Sequence, residues 1–191
     1  MGTANKCFTI ATMDNPAKQN ARVFFALWPN DAERAALAAW QPPLHQLCGG
    51  RIMRAETLHA SLVFVGDVAL HRLEALQLAA QEISGKPFRL VFDVARYWGH
   101  NHIVFAAPHA IPPPMSGLVQ VLEKKLARHC FHFDKRPYQP HVTLLRNAHW
   151  NDAPLPQMQK VEWLAQDFAL VQSASGEQGV RYEVLARFGL R

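Results

Sequence analysis

Two short segments of this sequence place a histidine two positions before a hydroxyl residue, each inside an apolar run. The first reads His-Ala-Ser from His59 to Ser61, and the second reads His-Val-Thr from His141 to Thr143. Because side chains alternate between the two faces of a β-strand, the histidine and the hydroxyl of each segment point the same way. Two such strands facing each other would bring two imidazoles and two hydroxyls into one cluster.

This set of side chains suits cleavage of a phosphodiester without a metal ion. The reaction needs a base for water, an acid for the leaving oxygen, and donors for the non-bridging oxygens. An imidazole has an ordinary pKa of about 6.5, so one neutral and one protonated histidine can fill the first two roles. Ser61, Thr143 and the nearby Arg146 would bind the phosphate oxygens. The pattern alone leaves open a pair of unrelated histidines, because the chain contains 10 of them.

The hydrophobic pattern predicts short strands and few helices around the two segments. Residues 22–28 are apolar and aromatic, as in a buried strand. Asn30 is typical of a helix N-cap, and we expect Pro42 and Pro43 to end that helix before a loop over 44–51. The predicted helices cover about 31–40, 73–83 and 116–129, and the predicted strands about 22–28, 58–65, 87–97, 102–107, 142–145, 161–172 and 180–188.

Strands paired by hairpins, with few helices, predict an α+β fold of mostly antiparallel sheet. The order of elements is weakly repeated, because each half holds a helix and a strand with a histidine segment, and this repetition predicts two pseudo-symmetric lobes. We expect residues 1–21 to be a polar, disordered tail and residues 22–191 to be a single bilobal domain. No apolar run reaches about 18 residues, so we expect no membrane span.

Charge and composition indicate which ligands and cofactors the protein could bind. The net charge of +5 favours polyanions such as RNA without requiring them. Three scattered cysteines without a paired pattern are typical of reduced cytoplasmic thiols. The histidine pairs His100/His102 and His129/His132 lack the four-ligand spacing of a zinc site. No glycine-rich phosphate loop is present. We therefore expect no metal and no other cofactor.

Both histidine segments resemble the two-histidine phosphoesterase superfamily, and within it the bacterial RNA 2′,3′-cyclic phosphodiesterases, also called 2′–5′ RNA ligases. That family carries His-x-Thr-x twice. The copies here are His-Ala-Ser-Leu from His59 and His-Val-Thr-Leu from His141, with Ser61 where threonine is usual. The resemblance extends over about residues 22–190 and is carried by segments 22–29, 58–66, 136–146 and 182–188.

The resemblance implies hydrolysis of a 2′,3′-cyclic phosphate to a 2′-phosphomonoester, without metal, in a cleft between two lobes with outer helices. One histidine protonates the departing 3′ oxygen and the other activates water. We prefer His59 as the acid and His141 as the base, although either assignment fits the sequence. Relatives can also run the reaction in reverse and form a 2′–5′ linkage. The implied partner is an RNA with a cyclic phosphate end or a small cyclic-phosphate nucleotide, and we expect a cytoplasmic monomer.

Four further side chains, Phe64, Tyr138, Arg54 and Arg136, are candidates for contacts with the base or ribose. A regular strand places Phe64 on the face opposite His59, so we expect it to pack in the core unless the strand twists. The arginines are expected at the solvated surface unless they touch phosphate or ribose. Two alternative functions stay open: the same fold acting on 2′–5′ oligonucleotides or cyclic nucleotides, and a non-catalytic RNA-end binder.

Overall fold

The computed structural model describes residues 20–176 and 179–191. The predicted tail lies outside these ranges up to residue 19, and the first strand begins at Asn20 instead of residue 22. The helices of the described ranges are α1 (Asp31–Ala38), α2 (Gln41–Cys48), α3 (Leu73–Gln81) and α4 (Pro113–Arg128). The strands are β1 (Asn20–Leu27), β2 (Arg51–Ile52), β3 (Ala60–Ala69), β4 (Phe88–Phe92), β5 (Val94–Trp98), β6 (Ile103–Ala107), β7 (Val142–Arg146), β8 (Val161–Ala165), β9 (Asp167–Gly176) and β10 (Gly179–Gly189).

Eight strands form one antiparallel sheet that has the two histidine strands at its centre. The order is β10-β9-β1-β3-β7-β6-β5, with β2 paired to β7. β3 and β7 meet only at the pair Ala60 and Val142. This narrow seam divides the sheet into two four-stranded halves, and a separate pair of strands, β4 and β8, lies apart. The predicted α+β fold with two lobes of antiparallel sheet is confirmed.

One hydrophobic core lies under both halves of the sheet. It includes Phe25 of β1, Leu62 of β3, Leu144 of β7 and Leu122 of α4, each at most 5% exposed. α4 packs against β3, and α2 packs against β7. Because the helices cover this face, the opposite face of the sheet is left open as a cleft.

The predicted loop after α1 is wrong. α1 begins as expected, with a capping box in which Asn30 and Glu33 exchange side-chain to backbone hydrogen bonds. Residues Gln41–Cys48 then form α2, and Pro42 and Pro43 lie in its first turn. The backbone N–H groups there have no partner within the helix, so proline costs no hydrogen bond and can begin a helix.

Three strand boundaries also differ from the prediction. The predicted strand 87–97 is interrupted at Asp93, so that β4 pairs with β8 while β5 pairs with β6. The predicted strand 161–172 divides between β8 and β9 at Gln166. β3 does not end at Gly66, which has φ +86 and lies at a β-bulge, and it continues to Ala69. Periodicity misses such breaks because the flanking residues stay extended and apolar.

Candidate active site

The seam between β3 and β7 brings the two histidine segments together. Ala60 and Val142 pair with each other, and both side chains are fully buried in the core. Alternation turns the histidine and the hydroxyl of each segment to the opposite, open face. The antiparallel direction sets the histidine of one segment across from the hydroxyl of the other. One cavity is accordingly lined by His59, Ser61, His141 and Thr143.

A β-bulge in each histidine strand adds one further residue to this cavity. In β3 the bulge lies at Leu62, between Ser61 and Val63, which pair with successive residues of β1. In β7 the equivalent bulge lies at Leu144. Each bulge reverses the alternation of the strand. Residues five positions after each histidine therefore face the cavity, and these are Phe64 and Arg146.

Phe64 is the candidate for which the prediction of core packing is wrong. Its side chain is 37% exposed, while both Leu62 and Val63 are buried, as the bulge requires. The guanidinium of Arg22 lies 5.1 Å from the centre of its ring. Phe64 thus presents an aromatic surface beside Ser61 and Arg146 in the cavity, with a cation held close to its ring.

Hydrogen bonds to the backbone determine which nitrogen of each histidine is free of the main chain. Nδ1 of His59 lies 2.7 Å from the carbonyl oxygen of Thr57, and Nδ1 of His141 lies 2.8 Å from that of Gln139. Because a carbonyl can only accept, each Nδ1 carries a hydrogen and donates it. Nε2 of each ring is left for proton transfer. In the neutral form, Nε2 of His59 accepts from the Ser61 hydroxyl at 3.1 Å.

Aromatic side chains surround His59 and leave it only partly exposed to water. Its ring lies 4.9 Å from Phe24, 5.0 Å from Tyr182 and 5.4 Å from Trp28, which is stacked at an interplanar angle of 12°. Burial is the main cause that lowers the pKa of His59, and the positive charges of His141 and Arg146 add to it, while the hydrogen bond to the Thr57 carbonyl opposes them; together they bring the pKa to about 4. In the free protein His59 is therefore neutral at pH 7.

His141 has a similar environment on the second half of the sheet. Its ring lies 4.6 Å from Trp98 and 5.7 Å from Phe105, both edge-on. Burial lowers the pKa of His141, as does the charge of Arg146, while the hydrogen bond to the Gln139 carbonyl raises it. The two imidazoles thus have the same kind of surroundings and the same tautomer.

The other three candidates, Arg54, Arg136 and Tyr138, do not line the cavity that holds the two histidines. Arg54 donates to the carbonyl oxygen of Val180 at 2.9 Å and pairs with Glu56 at 3.3 Å. Arg136 forms an ion pair with Asp134. Tyr138 packs against the core, where its hydroxyl is buried without a hydrogen-bond partner. Arg136 and Tyr138 do line a larger groove that adjoins the cavity.

Several residues of the site were not predicted from the sequence. The alternation of β1 could have indicated two of them, because Phe24 and Trp28 share the parity opposite to the core residues Val23 and Phe25. The others come from distant segments and carry no local signal. The unpredicted residues in or around the cavity are Phe24, Trp28, Met53, Thr57, Trp98, Phe105, Ser173 and Tyr182.

The donor set of the cavity suits an anion. Two imidazoles, two hydroxyls and one guanidinium offer hydrogen-bond donors and positive charge. Within residues 20–176 and 179–191, no three His, Cys, Asp or Glu side chains come close enough to hold a metal ion. None of the helices in those ranges is long and apolar enough to cross a membrane.

Comparison with known proteins relates this arrangement to one family. The model of the 2′-5′ RNA ligase superfamily matches residues 28–177. A protein of Escherichia coli K12 named RNA 2′,3′-cyclic phosphodiesterase is 30% identical over 88% of this chain and 96% of its own length. A protein of the same name from Thermus thermophilus is 29% identical over 89% of this chain and 90% of its own.

Solved structures show the same fold. The apo crystal structure of E. coli LigT superposes with a TM-score of 0.81 at 29% identity, covering 90% of this chain and 98% of that one. The crystal structure of E. coli LigT complexed with 3′-AMP gives a TM-score of 0.80 at 29% identity, covering 90% of this chain and 99% of that one.

Proposed function

The chain belongs to the 2′-5′ RNA ligase superfamily, and from this premise we propose that it hydrolyses the 2′,3′-cyclic phosphate ends of RNA to 2′-phosphomonoesters. The observation that carries the proposal is the pairing of two imidazoles, each with a bound Nδ1 and an available Nε2, in one cavity with two hydroxyls and Arg146. The E. coli and T. thermophilus relatives, which span most of the chain, bear the name of this activity.

In the proposed mechanism, His141 removes a proton from water while the water oxygen bonds to phosphorus. The bond from phosphorus to the 3′ oxygen breaks, and Nε2 of His59 gives its proton to that oxygen. The pKa of His59, lowered by burial to about 4, makes its protonated form a strong proton donor. The anionic phosphate beside the ring favours that protonated form once substrate is bound. The same two residues would serve the reverse 2′–5′ joining reaction.

The remaining side chains of the cavity bind the substrate. Ser61 and Thr143 can each donate a hydrogen bond to a non-bridging oxygen, and Arg146 supplies a fixed positive charge for the charge that develops there. Phe64 offers its exposed ring for stacking of the terminal base. Arg54 already bonds to the Val180 carbonyl and to Glu56, so we assign it a structural role instead of a contact with the substrate.

We also propose that residues 22–191 act as one bilobal unit and as a monomer in the cytoplasm. Both halves of the catalytic cavity come from the same chain, so the site does not need a second copy. The core is continuous beneath the two halves of the sheet. The two cysteines of the described ranges, Cys48 and Cys130, are free thiols, as expected for a reducing compartment.

Product analysis tests the proposed reaction directly. An oligonucleotide ending in a 2′,3′-cyclic phosphate, incubated with the protein in EDTA, should yield the 2′-phosphomonoester, because the cavity donors need no metal ion. Matched 2′–5′-linked and 3′–5′-linked dinucleotides should be cleaved far more slowly. A 3′-phosphate product would mean that the bond from phosphorus to the 2′ oxygen breaks instead of the proposed one. Faster cleavage of the 2′–5′ linkage would assign a different substrate to the same site.

The pH dependence of kcat/KM should form a bell centred on the acidic side of pH 6.5. Catalysis needs one proton shared between His59 and His141, and kcat/KM reports the pKa values of the free enzyme. Burial lowers both values, that of His59 to about 4. The rate should therefore rise through about pH 4 and decline about tenfold per unit above the lowered pKa of His141. The measurement is initial rate against pH at subsaturating substrate.

Arg146→Met provides the control for this profile. The guanidinium lowers the pKa of both histidines, so its removal should shift both sides of the bell to higher pH as well as reduce the rate. A wild-type bell centred above pH 6.5 would contradict the aromatic desolvation, and an unshifted Arg146→Met profile would show that the guanidinium does not act on the histidines.

A further inference from the structure

A groove of about 610 Å³ opens from the cavity that holds the two histidines. It runs along the half of the sheet formed by β7, β6, β5 and β2. The cavity itself measures about 190 Å³, so the groove has about three times its volume. The two are continuous, because they share Ser61, Phe64, His141, Thr143 and Arg146. A ligand whose phosphate lies between the two histidines can therefore extend into the groove without crossing a barrier.

The groove has an aromatic platform, Trp98, which lies two strands away from Arg146. Ile103 of β6 pairs with Arg146 of β7 on one side and with Trp98 of β5 on the other, so the three side chains form a row on the open face. The indole of Trp98 lies 4.1 Å from the ring of Phe105, which holds it in place. The imidazole of His100 lies 6.3 Å from the same indole.

Two arginines lie near this platform, Arg136 in the groove and Arg96 outside its lining. Arg136 forms the opposite wall, and its side chain is 85% exposed although it pairs with Asp134. The backbone N–H of Asp134 donates to the carbonyl oxygen of Phe64 at 2.9 Å, which anchors this wall to β3. Arg96, two residues before Trp98 on β5, is exposed on the same face of the sheet. An aromatic surface with cations close by is a surface that single-stranded nucleic acids bind.

We propose that this groove binds the nucleotide on the 5′ side of the cyclic phosphate end of a single-stranded RNA, with its base stacked on Trp98 and its phosphodiester beside Arg136. The inference rests on the proposed function, because it extends the RNA from the phosphate position between the histidines. It makes short RNA chains the preferred substrate over mononucleoside cyclic phosphates. Glu123 and Asp134 also line the groove and repel anionic groups. A ligand that binds partly by stacking of a base is therefore favoured over one that binds by its negative charge alone.

The test compares a mononucleoside 2′,3′-cyclic phosphate with a dinucleotide that carries the same terminal nucleoside. Wild type should show kcat/KM about tenfold higher for the dinucleotide, mainly through KM, since base stacking on an aromatic side chain has an effect of this size. Trp98→Leu and Arg136→Gln should each bring this ratio towards one. The ratio cancels any effect of Trp98 on His141, with which its ring is in contact.

Arg89→Gln is the matched control. Arg89 is likewise an exposed arginine in an ion pair, with Glu162, but it lies on β4 in the separate two-stranded sheet. It should keep the wild-type ratio. A wild-type ratio near one, or a ratio that neither Trp98→Leu nor Arg136→Gln reduces, would overturn the proposal. A joining assay with an added 5′-hydroxyl nucleoside gives a further contrary outcome. If Trp98→Leu loses the 2′–5′-joined product while its dinucleotide ratio is unchanged, the groove holds the acceptor nucleoside and the proposal fails.

Binding without turnover separates this proposal from the proposed function. Calorimetric affinities for a nucleoside 2′-monophosphate and for the corresponding dinucleotide 2′-phosphate should differ by a similar factor, and Trp98→Leu should abolish the difference. If neither cyclic phosphate is hydrolysed, the proposed function fails, while this affinity ratio still decides the groove. If both are hydrolysed and the affinities are equal, only the groove assignment fails.

Discussion

Replacement of His59 or His141 by asparagine will lower the turnover of a 2′,3′-cyclic phosphate roughly 10²- to 10⁴-fold in each case, the usual contribution of one general acid or base. Asparagine is the informative substitution here. Its side-chain amide can donate to the Thr57 or Gln139 carbonyl in place of Nδ1, so neither carbonyl loses its hydrogen bond. It has no counterpart of Nε2, which is the atom assigned to proton transfer.

The double variant should be only slightly slower than the slower single variant, because residues that act as a unit do not contribute additively. Single-turnover kinetics measure the chemical step directly. His71→Asn, at an exposed histidine before α3, is the control and should retain wild-type turnover. Calorimetry with a nucleoside 2′-monophosphate should show that both site variants still bind, since Ser61, Thr143 and Arg146 remain. Binding by wild type without turnover would establish the alternative, a non-catalytic RNA-end binder.

The cluster of two histidines and two hydroxyls was predictable because it depends on short-range periodicity. A period of two residues places His59 with Ser61 and His141 with Thr143, and antiparallel pairing of the strands with the two segments in register then builds the four-residue cluster. The structure brings these side chains together around the Ala60 to Val142 pair. The prediction of two lobes rests on the repetition of a helix and a histidine strand in each half of the sequence.

The residues one step further along each strand were not predictable by the same rule. The bulges at Leu62 and Leu144 add one residue each, and the extra leucine looks like any other apolar strand position. A regular strand would have directed Phe64 into the core and Arg146 away from the phosphate. The sequence analysis grouped Arg146 with the histidine segments and its side chain lines their cavity, but the bulge that directs it there cannot be detected in the hydrophobic pattern.

The proton affinities of the histidines depend on contacts that are distant in sequence. His59 is in contact with Trp28, which follows β1, and with Tyr182 of β10. His141 is in contact with Trp98 of β5. The sequence alone suggested ordinary imidazoles with a pKa of about 6.5. Desolvation by these rings changes that expectation to two histidines that are both neutral at pH 7 before substrate binds.

A substrate with sulfur in place of the 3′ bridging oxygen should restore most of the activity of His59→Asn and none of that of His141→Asn. A thiolate is a far better leaving group than an alkoxide, because a thiol has an ordinary pKa of only about 8.5. It departs without a proton, so loss of the general acid no longer matters, whereas water must still be activated by the base. The thiol released at the 3′ position reacts with a disulfide dye and gives a continuous signal.

The expected pattern is a deficit of less than about tenfold for His59→Asn on the sulfur substrate, against roughly 10²-fold or more on the oxygen substrate. Wild type measured on both substrates corrects for the intrinsic difference between them. The reverse pattern, with rescue of His141→Asn alone, would exchange the two roles, as the low pKa of His59 in the free enzyme would permit for a base. Rescue of neither variant would mean that each histidine positions the phosphate instead of transferring a proton. Because both rings share one tautomer and one cavity, only the chemistry of the leaving atom distinguishes the acid from the base.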